Sequence, residues 1–162
     1  MRSERGRRLR FGATTSAVDA LVFALRLVIG VLLLVAGALK IGHAPDLAAA
    51  IAGFRLLPAT VIGPLALALP FFELMLGLYL VLGLFTRVVA AIVCAQFLTY
   101  GAVVASAVLR HLPADCGCFG PGDMALADWP HAGFDLLLAL ASALIAYGAR
   151  GALAADRRLR TR

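Results

Sequence analysis

The residues with the clearest chemical potential are two cysteines separated by one glycine, Cys116-Gly117-Cys118. Cα atoms two residues apart reach the separation that a disulfide tolerates only near its strained end. Gly117 supplies the backbone freedom that closing so small a ring requires. A strained, exposed disulfide is more labile than a structural one, and so small a ring adds little entropic stability. The pattern therefore favours thiol–disulfide exchange over a structural cross-link.

Two other interpretations of this pair stay open. Thiolate and imidazole groups from Cys116, Cys118, His111 and His131 are suitable ligands for zinc or copper, but one Cys-x-Cys and two loosely spaced histidines form a weak metal motif, so we predict no metal site. The pair can also be two idle thiols. The third cysteine, Cys94, lies in an apolar run, where cysteine commonly packs as a small apolar residue, and we leave it out of the mechanism.

The composition indicates the kind of element that positions this pair. Apolar residues make up 62% of the 162-residue chain and its mean hydropathy is +0.95. Soluble domains contain about 45–50% apolar residues, so the excess points to lipid as the surroundings. The length fits one domain. We therefore predict an all-α membrane protein in contact with the lipid bilayer.

Four apolar runs are long enough to cross a hydrocarbon core of about 30 Å. The predicted transmembrane helices cover residues 17–42, 60–84, 86–109 and 132–149. The first run is too long for the apolar region of a signal peptide and contains Arg26 and Lys40, so we predict that it is retained.

The connections between these helices differ in kind. Residues 44–58 are too short to span, and the helical spacing of Leu47, Ile51 and Phe54 predicts an interfacial helix, with an ordinary loop as the alternative. Only residues 85–87 join the second and third helices, which predicts a tight antiparallel hairpin. Residues 110–131 form a long polar loop that carries the cysteine pair, and loops of this length are usually functional.

The basic residues set the predicted orientation. Eleven of them lie on one side of a four-span protein, where the positive-inside rule places the cytoplasm; they are Arg2, Arg5, Arg7, Arg8, Arg10, Arg87, Arg150, Arg157, Arg158, Arg160 and Arg162. We predict a basic cytoplasmic arm (1–16), a membrane domain (17–149) and a basic cytoplasmic tail (150–162) in a bacterial-type inner membrane, with the cysteine loop extracytoplasmic. The net charge of +6 thus reflects topology, and we predict no nucleic-acid partner.

Two charges inside the spans, Arg26 and Glu73, are costly unless they face a partner or water. Their depths, counted along the predicted helices, are similar, which predicts an Arg26–Glu73 pair. Small residues accompany them on matching stripes and favour close helix packing; the stripes are Arg26, Gly30, Leu33, Gly37 and Lys40, and Ala66, Pro70, Glu73, Gly77 and Leu80. The pair is either a structural lock or a proton or quinone site beneath the thiols. Gln96 and Tyr100 share a helix face and are expected to hydrogen-bond within the bundle.

Several motifs together resemble the MauE family of methylamine-utilisation membrane proteins, which are related to DoxX. They are Ala36-Gly37 with Lys40, Phe54-Arg55-Leu56-Leu57-Pro58, Leu69-Pro70 with Glu73 and Gly77, and Cys116-Gly117-Cys118-Phe119-Gly120. The resemblance covers residues 20–150. It implies a four-helix redox-associated protein linked to maturation of the disulfide-rich small subunit of methylamine dehydrogenase, beside a thioredoxin-like partner. It also implies that Cys116 and Cys118 are the redox pair, with Lys40 and Glu73 as family positions of unassigned role.

The leading hypothesis is a membrane thiol–disulfide exchange component that acts on an extracytoplasmic thioredoxin-like protein or a secreted cysteine-containing client. Cys116 and Cys118 are the expected catalytic residues; Gly117, Lys40, Arg26 and Glu73 are supporting positions. With one cysteine pair, a relay through two pairs is excluded, so electrons leave through a bound quinone or by direct exchange with a partner. The alternatives are a non-catalytic assembly factor and a small-solute carrier that uses the Arg26–Glu73 interior.

Overall fold

The computed structural model of this chain describes residues 2–115 and 126–148, with side chains from residue 18 onward. The described backbone is helical apart from turns and one isolated β-bridge. The helices are α1 (Arg2–Lys40), α2 (Ala44–Gly53), α3 (Ala59–Leu82), α4 (Thr86–Leu109) and α5 (Trp129–Gly148). Four segments are long and apolar enough to cross a membrane, namely Val18–Lys40 within α1 and the whole of α3, α4 and α5. The predicted helical membrane bundle is confirmed.

Helix α1 differs most from its predicted bounds, because it begins at Arg2 rather than near residue 17. Hydropathy marks where a chain enters lipid, whereas a helix continues through polar residues as long as they favour helical backbone. Residues 2–16 contain no proline and include five arginines, which are good helix formers. The helix therefore starts well before the apolar run does.

The helices pack as two pairs that do not follow chain order. Helix α1 packs mainly on α3, α4 packs mainly on α5, and α1 also contacts α5. The connection between α3 and α4 is as short as predicted, yet these two helices contact each other far less than either contacts its main partner. The largest hydrophobic cluster draws on all four long helices; its buried members are Ile29, Leu33, Leu76, Leu80, Val89, Ala90, Val93, Phe97, Ala139 and Ile145.

Small residues allow α1 and α3 to approach closely, as their stripes predicted. A Cβ atom on Gly77 would lie 2.7 Å from the backbone oxygen of Gly30, and one on Gly30 would lie 3.1 Å from the oxygen of Gly77. About two helical turns from Gly30, a Cβ atom on Gly37 would lie 2.8 Å from the backbone oxygen of Pro70. Only glycine fits at such crossings, so these positions set the register of α1 against α3.

The two ends of the bundle are built differently. We call the end that holds the α3–α4 turn the turn end, and the opposite end, where α1 and α4 finish and α3 and α5 begin, the loop end. Helix α2 lies at the loop end and packs on α3 through the buried Leu47. It ends at Gly53, earlier than the predicted segment 44–58, and Phe54 directly after it is also buried.

Candidate functional site

The centre of the bundle contains a buried ion pair between α1 and α3. The Lys40 ammonium lies 2.8 Å and 3.1 Å from the two carboxylate oxygens of Glu73. The two side chains are only 4% and 1% exposed. Lys40 is the last residue of α1, and its flexible stem lets the ammonium reach Glu73 inside the neighbouring helix. Burial of both charges is tolerated because each is paired and hydrogen-bonded.

Two polar side chains of α4 complete the surroundings of the Glu73 carboxylate. Tyr100 donates its hydroxyl to Glu73 Oε1 at 2.8 Å, and the Gln96 amide lies 2.9 Å from the Tyr100 hydroxyl and 3.5 Å from the same carboxylate oxygen. The expected polar contacts of Gln96 and Tyr100 are therefore confirmed. Because these groups belong to α1, α3 and α4, the cluster joins the two helix pairs of the bundle.

The expected Arg26–Glu73 pair is wrong, because Lys40 takes the place assigned to Arg26. The Arg26 guanidinium lies at the turn end instead, where a Cβ atom on Gly83 would be 2.6 Å from its Nη1 atom. Gly83 follows Glu73 by ten residues, or about 15 Å of helix. Gly83 caps α3 with a positive φ of 70°, and the Arg26 guanidinium also stacks 5.1 Å from the Phe23 ring centroid. The depth of Arg26 was misjudged because it was counted from residue 17, whereas the end of α3 at Gly83 lies level with the Arg26 guanidinium.

Helix α5 contributes Asp135, a residue that the sequence analysis missed. Asp135 is 5% exposed, and its Oδ2 atom has no hydrogen-bond partner within the described part of the chain. Sequence did carry a signal, since an acidic residue inside a span usually marks a functional position. That signal was weak because the predicted fourth helix began at Ala132, which placed Asp135 in its first turn. The helix begins three residues earlier.

Asp128 and His131 lie at the start of α5, about two turns and one turn before Asp135. The Asp128 carboxylate accepts the backbone N–H of His131 at 2.9 Å and lies 2.6 Å from the His131 ring nitrogen Nδ1. These two hydrogen bonds lower the pKa of Asp128 below its ordinary value of 3.8. A carboxylate at this position caps the helix, which explains why α5 begins directly after Asp128.

A small crevice leads into the cluster between α1 and α5. Its volume is about 40 Å³, enough for a water-sized group at its inner end. The polar lining residues are Lys40, Glu73, Tyr100, His131 and Asp135, and the apolar ones are Leu32, Leu33, Ala36, Phe97, Phe134 and Leu138. Phe134 is 46% exposed at the outer surface of the bundle, so the mouth of the crevice opens at the height of the spans.

The cysteine loop is tied to the bundle at both of its ends. Asp115 and Leu126 form an antiparallel β-bridge, and Ala127 donates its backbone N–H to the oxygen of Ala114 at 2.9 Å. Ala114 is buried in a second hydrophobic cluster with Phe54, Val104 and Ala107. Cys116, Gly117 and Cys118 themselves lie outside the described residues. The loop therefore leaves and rejoins the fold at the loop end, directly before α5.

The remaining candidates from the sequence are the third cysteine and the possible metal ligands. Cys94 is half-buried and packs against the main hydrophobic cluster, as expected for an apolar role. The described residues hold no group of three potential metal ligands. His131 is engaged by Asp128, and His111 follows the end of α4 with a positive φ of 53°. Cys116 and Cys118, the other two candidate ligands, lie outside the described residues.

This arrangement defines a class: a multi-pass helical membrane protein with a buried lysine–glutamate pair at its centre. The family within that class follows from sequence. The family described as "Methylamine utilisation protein MauE" matches residues 18–148, and the chain belongs to this family. Comparisons with curated proteins and with solved structures gave no match. The match spans the four membrane helices and the cysteine loop, as the resemblance implied.

Proposed function

We propose that this MauE-family protein is a membrane component of thiol–disulfide exchange, in which Cys116 and Cys118 react with cysteines of a thioredoxin-like protein or a secreted client outside the cytoplasm. Family membership supports a role in methylamine utilisation, and maturation of a disulfide-rich enzyme subunit is the corresponding task. Lipid on all sides of the bundle leaves the two membrane faces as the places where a protein partner can act.

The observation that carries the proposal is the closed base of the cysteine loop. The Asp115–Leu126 bridge lies directly before Cys116, and the buried Ala114 anchors that bridge to the bundle. Cys116 follows Asp115 directly in the sequence, so the chain enters the Cys-Gly-Cys segment from the loop end, the end at which we propose that the partner acts. The distribution of arginines along the sequence supports an orientation with this end outside the cytoplasm.

The proposed reaction is a conventional exchange. A partner thiolate attacks one sulfur of the Cys116–Cys118 disulfide, a mixed disulfide forms, and the other cysteine leaves as a thiolate. The second partner thiol, after losing its proton, attacks the mixed disulfide and releases the first cysteine. Two electrons pass to the chain, whose two thiolates take up the two protons that the partner thiols lose. The reverse sequence reduces the partner.

Trapping of the mixed disulfide tests this reaction. We expect Cys116→Ser or Cys118→Ser, expressed in cells, to accumulate a covalent adduct that dithiothreitol dissolves and that mass spectrometry assigns to a cysteine of a thioredoxin-fold protein. Removal of the resolving cysteine stalls the exchange at its intermediate, which is why only a single substitution traps. The double variant and the otherwise matched Cys94→Ser variant serve as controls, and neither is expected to trap.

An assembly factor without thiol chemistry gives the opposite result. In that case neither single serine variant forms an adduct, and both support maturation of the client as well as the unmodified chain does. The carrier alternative was based on an Arg26–Glu73 interior, and the structure replaces that interior with the Lys40–Glu73 cluster and a crevice of about 40 Å³. This volume admits little more than water.

A further inference from the structure

We propose that Asp135, together with one water molecule in the crevice between α1 and α5, forms a proton-binding site inside the bundle. The ligands are a proton and a water molecule, and the crevice volume of about 40 Å³ admits both. This site is independent of the thiol chemistry, because it is built only from described residues of the four membrane helices. The proposed function leaves this buried acid unused.

Helix α5 holds Asp135 between the two helix pairs of the bundle. The side chain is 5% exposed and lines the crevice. On the neighbouring α4, a Cβ atom on Gly101 would lie 3.2 Å from the Asp135 Cβ atom, so this glycine leaves room for α5 at the level of the acid. Asp135 Oδ2 is buried and has no hydrogen-bond partner among the described residues. Buried polar atoms are normally satisfied, so this atom indicates a bound group.

The charges around Asp135 favour its neutral form. The other ionisable groups that line the crevice are Lys40 of α1, Glu73 of α3, Tyr100 of α4 and His131 of α5. Lys40 and Glu73 lie 2.8 Å apart and cancel each other's charge. His131 lies 2.6 Å from Asp128, whose carboxylate compensates an imidazolium. Within the described part of the chain, an ionised Asp135 would therefore be a buried charge without a counter-ion, which is costly inside a span. Binding of a proton removes this cost.

A water molecule at the inner end of the crevice completes the site. Lys40 Nζ carries three N–H groups, and two of them reach the Glu73 oxygens, which leaves the third for this water. The same water accepts the hydroxyl of protonated Asp135 from Oδ2. A buried water needs about 10–15 Å³ of space and at least about two polar partners, and the crevice supplies both.

His131 connects this site to the loop end of the bundle. It precedes Asp135 by four residues, which places both side chains on one face of α5, and both line the crevice. In the proposed exchange the O–H bond of Asp135 breaks, the water relays a proton, and the His131 ring nitrogen Nε2 gains one. The products are an Asp135 carboxylate and an imidazolium beside Asp128. The reverse transfer restores the neutral acid, and no electrons move in either direction.

Infrared spectroscopy of the full chain in lipid nanodiscs tests the proton on Asp135. A neutral carboxylic acid has a C=O stretching band at a higher frequency than the amide bands, whereas a carboxylate lacks it. We expect this band at about pH 6, where an ordinary aspartate with a pKa of about 3.9 is ionised. It should shift to lower frequency in heavy water, because the proton exchanges through the crevice.

Two experiments assign the band to Asp135. Asp135→Asn should abolish it, whereas the matched Asp128→Asn variant should keep it, because the half-exposed Asp128 does not line the crevice. Labelling of all aspartate side-chain carboxyls with a heavy carbon isotope should also shift the band in the unsubstituted chain. The label separates Asp135 from Glu73 without any substitution, so the assignment does not depend on how well a variant folds.

A variant that fills the crevice tests the water. Ala36 is 5% exposed and lines the crevice, so Ala36→Val should displace the water. The C=O band should then move to higher frequency, because the acid loses a hydrogen-bond partner, and its exchange in heavy water should slow several-fold. Ala38→Val is the matched control at an exposed position of the same helix. It should leave both the frequency and the exchange rate unchanged.

The proposal is overturned if no such band exists at about pH 6, or if the band persists in Asp135→Asn and does not respond to the aspartate label. A band that appears only after sodium is removed from the buffer would also overturn it, because a cation would then occupy the place of the proton. Identical spectra and exchange rates for Ala36→Val and Ala38→Val would exclude the water. The Cys116→Ser/Cys118→Ser chain should give the same band, so a failure of the proposed thiol exchange leaves these results unchanged.

Discussion

Lys40 and Glu73 show how a single residue's reach determines a buried contact. A lysine at the end of α1 looks like an interfacial residue that extends toward water, as long basic side chains near helix ends commonly do. Here the same flexible stem extends inward, because Glu73 and its hydrogen-bonded tyrosine provide a partner there. Sequence placed both residues on the correct stripes but chose Arg26 as the partner, since the reach of a flexible side chain is not encoded in spacing.

Removal of one member of this pair should be far more harmful than removal of both. We expect Lys40→Met or Glu73→Met alone to lower the free energy of unfolding by about 3–5 kcal/mol, because each leaves a buried charged group without its partner. Lys40→Met combined with Glu73→Met should recover most of that loss. Denaturation of the purified protein in mixed detergent micelles measures these differences.

A double variant whose loss equals the sum of the two single losses would contradict this coupling. Arg26→Met combined with Glu73→Met is the informative comparison, because Arg26 lies at the turn end. That combination should show no rescue at all.

The cap at Asp128 gives a pH-dependent prediction. Its pKa is lowered in the folded state by the hydrogen bonds from His131, so the stabilisation is present at neutral pH and is lost as pH falls through the lowered pKa, below the ordinary value of 3.8. We expect Asp128→Ala to unfold at a lower temperature than the unsubstituted chain at pH 7, with the difference shrinking under acid conditions.

Thermal unfolding followed by circular dichroism across a pH series measures this effect. Asp128→Asn is the matched variant, because asparagine can also accept the backbone N–H but does not titrate. Its stability relative to Asp128→Ala should stay constant with pH. A difference between Asp128→Ala and the unsubstituted chain that does not shrink in acid would exclude the cap as its source.

At the scale of helices, the same residue stripes on α1 and α3 supply both the close helix crossing and the buried ion pair. The crossing glycines nearest the ion pair are Gly37, one turn from Lys40, and Gly77, one turn from Glu73, so the pair forms beside the close approach of α1 and α3. Sequence predicted the bounds of α4 and this crossing, because hydropathy and small-residue spacing are local signals. It did not predict that α4 packs on α5 rather than on α3, since a short turn indicates adjacency in the chain and says little about packing.

Enlargement of one crossing glycine should separate α1 from α3. A Cβ atom on Gly77 would lie 2.7 Å from the Gly30 oxygen, which is rigid backbone, so we expect Gly77→Ala to lower stability by about 1–3 kcal/mol. Gly63 lies in the same helix with no atom within 4 Å of its Cβ position. Gly63→Ala should therefore be neutral or stabilising, by up to about 1 kcal/mol.

Unfolding of both variants under the same detergent conditions provides the comparison. Equal changes for the two substitutions would mean that contact with the Gly30 oxygen has no part in the effect of Gly77→Ala. A loss of stability seen only for Gly77→Ala would show that its cause lies at the crossing of α1 and α3.

At the scale of the whole molecule, the two ends of the bundle contain different elements. The loop end gathers α2, the base of the cysteine loop, His131 and the rim of the crevice, whereas the turn end holds Arg26, Gly83 and the short connection to α4. This division is seen in the described residues alone, which do not include Cys116 and Cys118. Sequence predicted which end carries the loop because four spans leave only one assignment of sides.

Orientation in the membrane can be tested by labelling. In intact cells, a maleimide that cannot cross the membrane should react with Cys116 or Cys118 after mild reduction. In a chain that carries Cys94→Ser, Cys116→Ser and Cys118→Ser, an added Arg87→Cys should react only after the membrane is made permeable, because Arg87 follows the α3–α4 turn. Labelling of Arg87→Cys in intact cells would reverse the proposed orientation.

The bridge at the base of the cysteine loop has a consequence for how this architecture can vary. Because Asp115 and Leu126 form a β-bridge, the chain leaves the described fold before residue 116 and returns to it after residue 125 at neighbouring points. A loop of similar length, with another cysteine spacing or other contacts to a partner, can replace this segment without a change at Asp115 or Leu126. The sequence between these two points can thus change while the membrane helices, with their buried charges, stay as they are.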